Sequence, residues 1–264
     1  MSTHLSTAYA NTVCTVTLHP PEGKPPTLDL AVMDAFDHVL TEIDGRASAL
    51  SAVVLQSASP KFFCAGANIH GLESMNRDTV GPWVERGHRL MNRIDALPVP
   101  MVARVEGYAL GGGLELAMAC DLIFASTHAK FGQTETKLGF VTGWGGSYRL
   151  VQRVGLARAK ELAFTGRIFD AEEAVRLGVA EWQGAPDALA VHVQEFLTAV
   201  VANSRVANRE MKHLLASCPH STLAQNAVSE AAASQRCLGK DGDAAERLRN
   251  FLTKKKSPPP AAHP

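Results

Sequence analysis

Short apolar strands alternate with amphipathic helices along most of the first 190 residues of this 264-residue chain. Residues 13–18 alternate like a half-buried strand, residues 28–43 carry apolar side chains at helical spacing, and residues 52–56 form a short apolar run. The same order recurs over residues 101–126, where a glycine turn separates an apolar strand from a helix. Strands that alternate with helices predict an α/β layered core.

The later part of the chain changes character. A helix over residues 149–166 is interrupted near Gly155, and Asp170 with Glu173 forms a predicted capping box for a short helix that ends at Gly178. Strand patterns end near Ala190, and residues 187–253 are helical in pattern almost throughout. We expect a core over residues 1–195, a helical subdomain over residues 196–256 and a disordered proline-rich tail over residues 257–264.

Charge and cysteine usage argue against several classes of partner. The 26 basic residues balance the 26 acidic ones, so no net field attracts nucleic acid or an anionic membrane. The five cysteines are scattered without the spacing of a metal site, which favours a reducing compartment and no structural metal. The N-terminus lacks the pattern of a signal peptide, and no apolar run approaches membrane-spanning length. We expect a cytoplasmic protein without nucleic-acid or membrane partners.

Two glutamates are the strongest chemical signal in the sequence. Glu115 follows three consecutive glycines and Glu135 comes later in the same region, and each lies in an apolar stretch. A carboxylate that is moved out of water without a partner has a raised pKa, which suits acid–base chemistry. The alternative is a pair of separately satisfied structural glutamates, since structural ion pairs also perturb pKa values.

Two loops of small residues are candidate donors of backbone hydrogen bonds. Gly111, Gly112 and Gly113 open a predicted helix, whose first amides have no intrahelical acceptor and can point at an oxygen that gains negative charge. Residues 61–69 contain small side chains between two aromatics and the start of another predicted helix. Amides from both loops would form an oxyanion hole, although a tight structural turn explains the glycines equally well.

The sequence resembles the crotonase family, also called the enoyl-CoA hydratase/isomerase superfamily, over nearly its whole length. The motifs that carry the resemblance are residues 63–69, 107–117, 120–121, 131–133 with 135, 143–146, 165–166, 173–174, 178–179 and 251–256. Several separate motifs in the same order make the resemblance specific.

The resemblance implies a fold and a reaction. The fold is an α/β spiral of ββα units with a helical C-terminal region for trimerisation, as a homotrimer or a pair of trimers. The expected substrate is an acyl-CoA thioester, whose carbonyl oxygen would be held by the amides of Ala67 and Gly112. By the family's pattern, Glu115 and Glu135 would together add water across the 2,3 double bond. Coenzyme A is part of the substrate, and neither a metal nor a redox cofactor is expected.

Two alternative functions remain at this point. A 3,2-enoyl-CoA isomerase of the family uses one glutamate and excludes water, whereas the presence of both glutamates favours hydration. Gly143 stands where dienoyl-CoA isomerases of the family carry an aspartate, which argues against that activity. A non-catalytic binding or assembly protein on the same fold is a more distant alternative, because the glutamates and glycines are intact.

Further residues are predicted to contact the substrate. The family's pattern assigns Ala65, Asn68, Ile69 and His70 to the side of the CoA arm, and Gly143 to an amide near the reacting carbon. His70 can equally be an ordinary surface or packing residue.

Other assignments carry more alternatives. Trp144 either restricts the acyl pocket or packs in the core, and Asn68 replaces the aspartate that is usual in the family. Lys61, Lys254 and Lys256 are candidates for the CoA phosphates, or else part of a solvated basic surface.

Overall fold

The structure is a computed structural model that describes residues 4–254. The strands are β1 (Leu5–Ala10), β2 (Val13–Leu18), β3 (Ala52–Ser57), β4 (Phe62–Cys64), β5 (Met101–Val105), β6 (Tyr108–Leu110), β7 (Leu122–Ser126), β8 (Lys130–Gly132), β9 (Phe169–Asp170) and β10 (Trp182–Gly184). The α-helices are α1 (Leu30–Arg46), α2 (Ile69–Glu73), α3 (Arg77–Asp95), α4 (Gly112–Met118), α5 (Gly146–Val154), α6 (Leu156–Thr165), α7 (Ala171–Leu177), α8 (Pro186–Ala202), α9 (Arg205–Ser217), α10 (Leu223–Leu238) and α11 (Ala244–Lys254).

The strands form two sheets. The larger has the order β1-β2-β3-β5-β7-β10, with β1 antiparallel to β2 and the other neighbours parallel. The smaller has the order β4-β6-β8-β9, with β9 antiparallel to β8. The successive pairs β3 and β4, β5 and β6, and β7 and β8 each give one strand to each sheet. The first two pairs are followed by helices α2–α3 and α4, so the chain repeats a ββα unit.

One apolar cluster joins the layers. It includes Val53 and Met101 from the larger sheet, Phe36 from α1, Leu90 from α3 and Leu114 from α4. The central strands β3, β5 and β7 are apolar on nearly every residue because both of their faces are covered. This packing fixes the ends of β6 and β8, and the segments that leave those ends carry the two glutamates.

Most elements agree with the sequence pattern, and two details differ. The predicted strand at residues 13–18 is confirmed, as is the break at Gly155, whose φ of 78° ends α5. The first helix begins at Leu30 rather than Leu28, because Asp29 caps it and Leu28 pairs with Ala67 in an isolated bridge.

The predicted capping box of α7 was half wrong. The side chain of Asp170 accepts a hydrogen bond from the Glu173 amide, as a cap should. The Glu173 carboxylate instead binds the guanidinium groups of Arg167 and Arg176. A charged partner at hydrogen-bond distance therefore takes the carboxylate that the sequence pattern assigned to the helix end.

The chain divides into two compact units between Thr198 and Ala199, a division that falls inside α8. The first unit holds both sheets, and the second consists of the end of α8 with α9, α10 and α11. Residues 257–264, expected to form a disordered tail, lie outside the described residues, as does Lys256. Within residues 4–254, no helix is both long and apolar enough to cross a membrane.

Candidate active site

Glu115 is held on the first turn of α4. The chain leaves β6 at Leu110 and turns through Gly111, whose φ of 51° and ψ of −122° suit glycine far better than other residues. The Glu115 side chain is 1% exposed. Its Oε1 accepts hydrogen bonds from the amides of Trp144, at 2.8 Å, and Gly146, at 2.7 Å. The turn before α5 therefore fixes one oxygen of this buried carboxylate.

Glu135 begins the 3₁₀ turn Glu135–Leu138 just after β8. Its Oε1 accepts a hydrogen bond of 2.7 Å from Gln133 Nε2, while its buried Oε2 has no hydrogen-bond partner within residues 4–254. A Cβ atom added to Gly111 would lie 3.2 Å from Glu135 Oε1. The turn that starts α4 thus carries Glu115 on one side and contacts Glu135 on the other.

Both carboxyl groups have raised pKa values. Burial is the main cause for Glu115, and the nearby Glu135 adds to it; two amide hydrogen bonds and the Arg149 charge act in the opposite direction, leaving a pKa of about 7. Burial also raises the pKa of Glu135, against the hydrogen bond from Gln133. A carboxyl group with a pKa near 7 can both give and take a proton at neutral pH.

The two small-residue loops meet backbone to backbone. The bridge between Leu28 and Ala67 uses the amides of Leu28 and Asn68, so the Ala67 amide points to the other side of this extended segment. A Cβ atom added to Gly112 would lie 3.5 Å from the Ala67 nitrogen. Gly66 has a φ of 92°, and a Cβ atom there would lie 3.0 Å from the Gly112 nitrogen. The structure therefore brings the two predicted amide donors together.

One cavity of about 390 Å³ contains these groups. Both glutamates line it, together with Ala67 and Gly112. Its other lining residues are Ala65, Gly66, Ile69, Leu72, Val80, Trp83, Val84, Leu110, Gly111, Thr134, Leu138, Phe140, Val141, Thr142, Gly143 and Trp144. Most of these are apolar, so the cavity suits an apolar group beside a pair of carboxyl groups.

Some of the residues predicted to contact the substrate do not line this cavity. Asn68 does not line the cavity; it caps α2 by accepting a hydrogen bond of 3.1 Å from the His70 amide, and the His70 side chain is exposed. An asparagine oxygen caps a helix as well as an aspartate does, which explains how this loop tolerates the residue. Lys61 is exposed at the turn before β4, with its Nζ 5.5 Å from the Phe62 ring centre, and Lys254 ends α11.

Trp144 both packs in the core and faces the cavity. Its side chain is 1% exposed and packs in the core, yet it also lines the cavity. The indole fills the space left by Gly87 and Gly112, where an added Cβ atom would overlap its ring atoms. Its ring centre lies 4.7 Å from that of Trp83. The aromatic pair therefore forms a rigid wall of the cavity next to the Gly112 amide.

Sequence reasoning missed Gln133 as a partner of Glu135 and Arg149 as a support of Glu115. The Arg149 guanidinium is 4% exposed and donates to Trp144 O at 3.1 Å, Asn92 Oδ1 at 3.0 Å and Asp95 Oδ2 at 3.1 Å. It thereby fixes the turn whose amides bind Glu115. The available signal was that Arg149 lies on the same face of α5 as the buried Gly146 and Leu150. A guanidinium on a buried face needs partners.

The raised pKa of Glu115 predicts a pH-dependent stability. The native state binds the Glu115 proton more tightly than the unfolded chain does, so this stabilisation is complete below about pH 4.5 and is lost as the pH rises to about 7. The free energy of unfolding of Glu115→Gln should be about 3 kcal/mol higher than that of the wild type at about pH 8. At about pH 4.5 the two values should be nearly equal. Urea unfolding at the two pH values measures this difference. An equal difference at both would contradict the assignment.

Removing the Arg149 guanidinium should loosen the turn that holds Glu115. Arg149→Met loses the hydrogen bonds to Trp144, Asn92 and Asp95, and we expect unfolding to become easier by about 1–3 kcal/mol. The same change removes a positive charge that lowers the Glu115 pKa, so the pH-dependent loss of stability should move to higher pH. Arg158→Met, at an exposed position of α6, is the control. An unchanged pH midpoint would show that Arg149 has no electrostatic role.

Comparison with known proteins identifies the family. The model of the enoyl-CoA hydratase/isomerase family matches residues 8–258. A short-chain-enoyl-CoA hydratase from Clostridium acetobutylicum is 36% identical over 77% of each chain. A mitochondrial methylglutaconyl-CoA hydratase from Rattus norvegicus is 45% identical, over 48% of this chain and 40% of the rat protein.

Solved structures agree with this result. A crystal structure of an enoyl-CoA hydratase from Bacillus anthracis superposes with a TM-score of 0.89 at 32% identity, covering 95% of this chain and 96% of that one. The expected crotonase-like α/β fold is confirmed by this match. With a family model that spans almost the whole sequence, the chain belongs to the enoyl-CoA hydratase/isomerase family.

Proposed function

We propose that this protein hydrates a trans-2-enoyl-CoA thioester to the 3-hydroxyacyl-CoA. The observation that carries the proposal is one cavity lined by the buried Glu115 and the partly buried Glu135, both with raised pKa values, and by the loops that bear the Ala67 and Gly112 amides. The matched relative from Clostridium acetobutylicum, which is named a short-chain-enoyl-CoA hydratase, supports it.

The two glutamates are the proposed acid–base pair. Both amide hydrogen bonds to Glu115 go to Oε1, so Oε2 is the oxygen left for a water. Glu135 likewise uses Oε1 for Gln133 and has a buried, unpartnered Oε2 within the described chain. One water held between these oxygens gives a proton to a carboxylate as its oxygen forms the bond to carbon 3. The resulting carboxyl group gives a proton to carbon 2, and both carboxylates return to their starting state.

The amides of Ala67 and Gly112 are the proposed oxyanion hole. As water adds to carbon 3, the electrons of the double bond move onto the thioester oxygen and form an enolate. Two amides aimed at that oxygen stabilise the negative charge most strongly in an apolar cavity. Water adds without any change of oxidation state overall, so the reaction requires no electron carrier.

The presence of two carboxyl groups favours hydration over migration of the double bond. A 3,2-enoyl-CoA isomerase needs one base to carry a proton between carbons, and a second, partly desolvated carboxyl group would add a desolvation cost without a role. In hydration, both groups orient the same water. The cavity therefore supports the hydratase. The isomerase is the alternative, and analysis of the product distinguishes the two.

The test is an assay of purified protein with crotonyl-CoA. We expect the ultraviolet absorbance of the conjugated thioester to fall and chromatography to show the 3-hydroxy product. Absorbance loss with a 3-enoyl product would identify an isomerase instead. No turnover of crotonyl-CoA or of longer trans-2-enoyl-CoA esters would contradict the proposal.

The proposal extends to assembly and to the CoA arm. In the second unit, large apolar side chains are more than half exposed at Leu215, Leu223, Val228 and Leu238, as expected of helices that meet other subunits. We therefore propose a homotrimer or pair of trimers, which light scattering would detect. The segment at residues 65–70 flanks the CoA arm, and Lys61, Lys254 and Lys256 remain the candidates for its phosphates.

A further inference from the structure

We infer that the acyl group accepted by this cavity is neutral and apolar, and that an acyl group with a free carboxylate at its far end is excluded. The inference rests on the proposed function and narrows its substrate class. The charge and polarity of the side chains that line the cavity decide which acyl groups can leave water and bind there.

The cavity wall offers no positive charge. Among the described residues that line it, the only ionisable side chains are Glu115 and Glu135. Hydroxyl groups come from Thr134 and Thr142, and the remaining lining residues are glycine, aliphatic or aromatic. A substrate carboxylate in this space would face two glutamates that can also be negative, and no cation among the lining residues.

Basic residues next to the lining segments are engaged elsewhere; Lys137, between the lining residues Glu135 and Leu138, is exposed and packs beside Gly166. Arg149 acts on Glu115 through its charge, yet its guanidinium is 4% exposed and donates to Trp144, Asn92 and Asp95. On α3, the helix that supplies Val80, Trp83 and Val84 to the cavity, Arg86 pairs with two aspartates of α1 at 2.8 and 2.6 Å. Moving either guanidinium to a substrate would break existing ion pairs.

The cost of a second carboxylate follows from burial. An ion that leaves water for an apolar wall without a counter-charge loses its hydration, and repulsion from nearby carboxylates adds to this loss. The raised pKa values of Glu115 and Glu135 show that the cavity already disfavours negative charge. The Trp83 and Trp144 rings pack against each other and leave a wall that contacts apolar groups well.

A matched pair of ligands tests the inference. Butyryl-CoA and glutaryl-CoA differ by a terminal carboxylate, and neither has the double bond needed for turnover. We expect calorimetry to give a Kd about 100-fold lower for butyryl-CoA, and the kcat/KM for crotonyl-CoA to exceed that for glutaconyl-CoA by a similar factor. Kd values within threefold of each other would overturn the inference.

A designed cation provides the second arm. Val141 lines the cavity and is 80% exposed, so a longer polar side chain there should leave folding intact. Val141→Lys should lower the ratio of the glutaryl-CoA Kd to the butyryl-CoA Kd at least tenfold, whereas the uncharged Val141→Gln should leave this ratio unchanged. If the lysine changes nothing, the missing cation is not the reason for the selectivity and the inference fails.

The two arms separate this inference from the proposed function. If crotonyl-CoA is hydrated while glutaryl-CoA binds as tightly as butyryl-CoA, the function stands and the inference is wrong. If butyryl-CoA is strongly preferred but no enoyl-CoA is hydrated, the acyl selectivity stands and the hydratase proposal is wrong.

Discussion

Glu135→Gln should lower kcat for crotonyl-CoA hydration by about 10²–10⁴-fold, because a general acid–base group is removed while the shape of the side chain is kept. Glu115→Gln should cause a loss of the same order. The double variant should be little worse than either single one, since the two carboxyl groups are proposed to act on one water and such units are strongly non-additive. Steady-state kinetics of the three variants measure this.

The control for both substitutions is Glu85→Gln, at an exposed position on α3, which removes the same charge outside the cavity. It should retain the wild-type kcat. If Glu135→Gln hydrates crotonyl-CoA as fast as the control does, the shared acid–base pair is contradicted. Circular dichroism of each variant separates lost chemistry from lost structure.

Gly113→Ala should reduce both stability and kcat. An added Cβ atom at Gly113 would overlap the carbonyl group of Cys64, a backbone position that cannot turn away as a side chain would. The two loops that carry the Ala67 and Gly112 amides must therefore separate. We expect a loss of about 1–3 kcal/mol in stability from the forced overlap. If one amide no longer reaches the oxyanion, kcat should fall by about 10²–10³-fold.

Gly71→Ala is the matched control for this prediction. Gly71 lies on the short helix α2, and an added Cβ atom would find nothing within 4 Å. Alanine is also the better helix former, so stability should stay the same or rise slightly. Thermal unfolding and steady-state kinetics of the two variants provide the comparison. Wild-type activity in Gly113→Ala would show that the contact between the loops does not position the amides.

The sequence predicted the larger elements because their patterns are local. The apolar run at residues 52–56 and the helix break at Gly155 are visible without knowledge of the fold. The smaller sheet was hidden, because its strands have only two or three residues each and no periodicity can be read from so short a run. Their pairing depends on the larger sheet that holds their ends in place.

The sequence predicted the parts of the candidate site that depend only on which residues stand in a motif. The two glutamates and the glycines at residues 111–113 belong to this class. The support of Glu115 was not predictable in the same way, because Arg149 reaches it through Trp144 and the partners Asn92 and Asp95 are more than 50 residues away in sequence. The orientation of Trp144 likewise depends on the space left by Gly87, on another helix.

The most direct test of the proposed reaction is mass spectrometry of the product formed from crotonyl-CoA in isotopically labelled water. We predict one labelled oxygen atom per product molecule for the wild-type protein, and almost no labelled product from Glu115→Gln or Glu135→Gln over the same time. A product with the mass of the substrate and an unconjugated double bond would contradict hydration. If either glutamine variant forms as much labelled product as the wild-type protein does, the assignment of the two glutamates is contradicted.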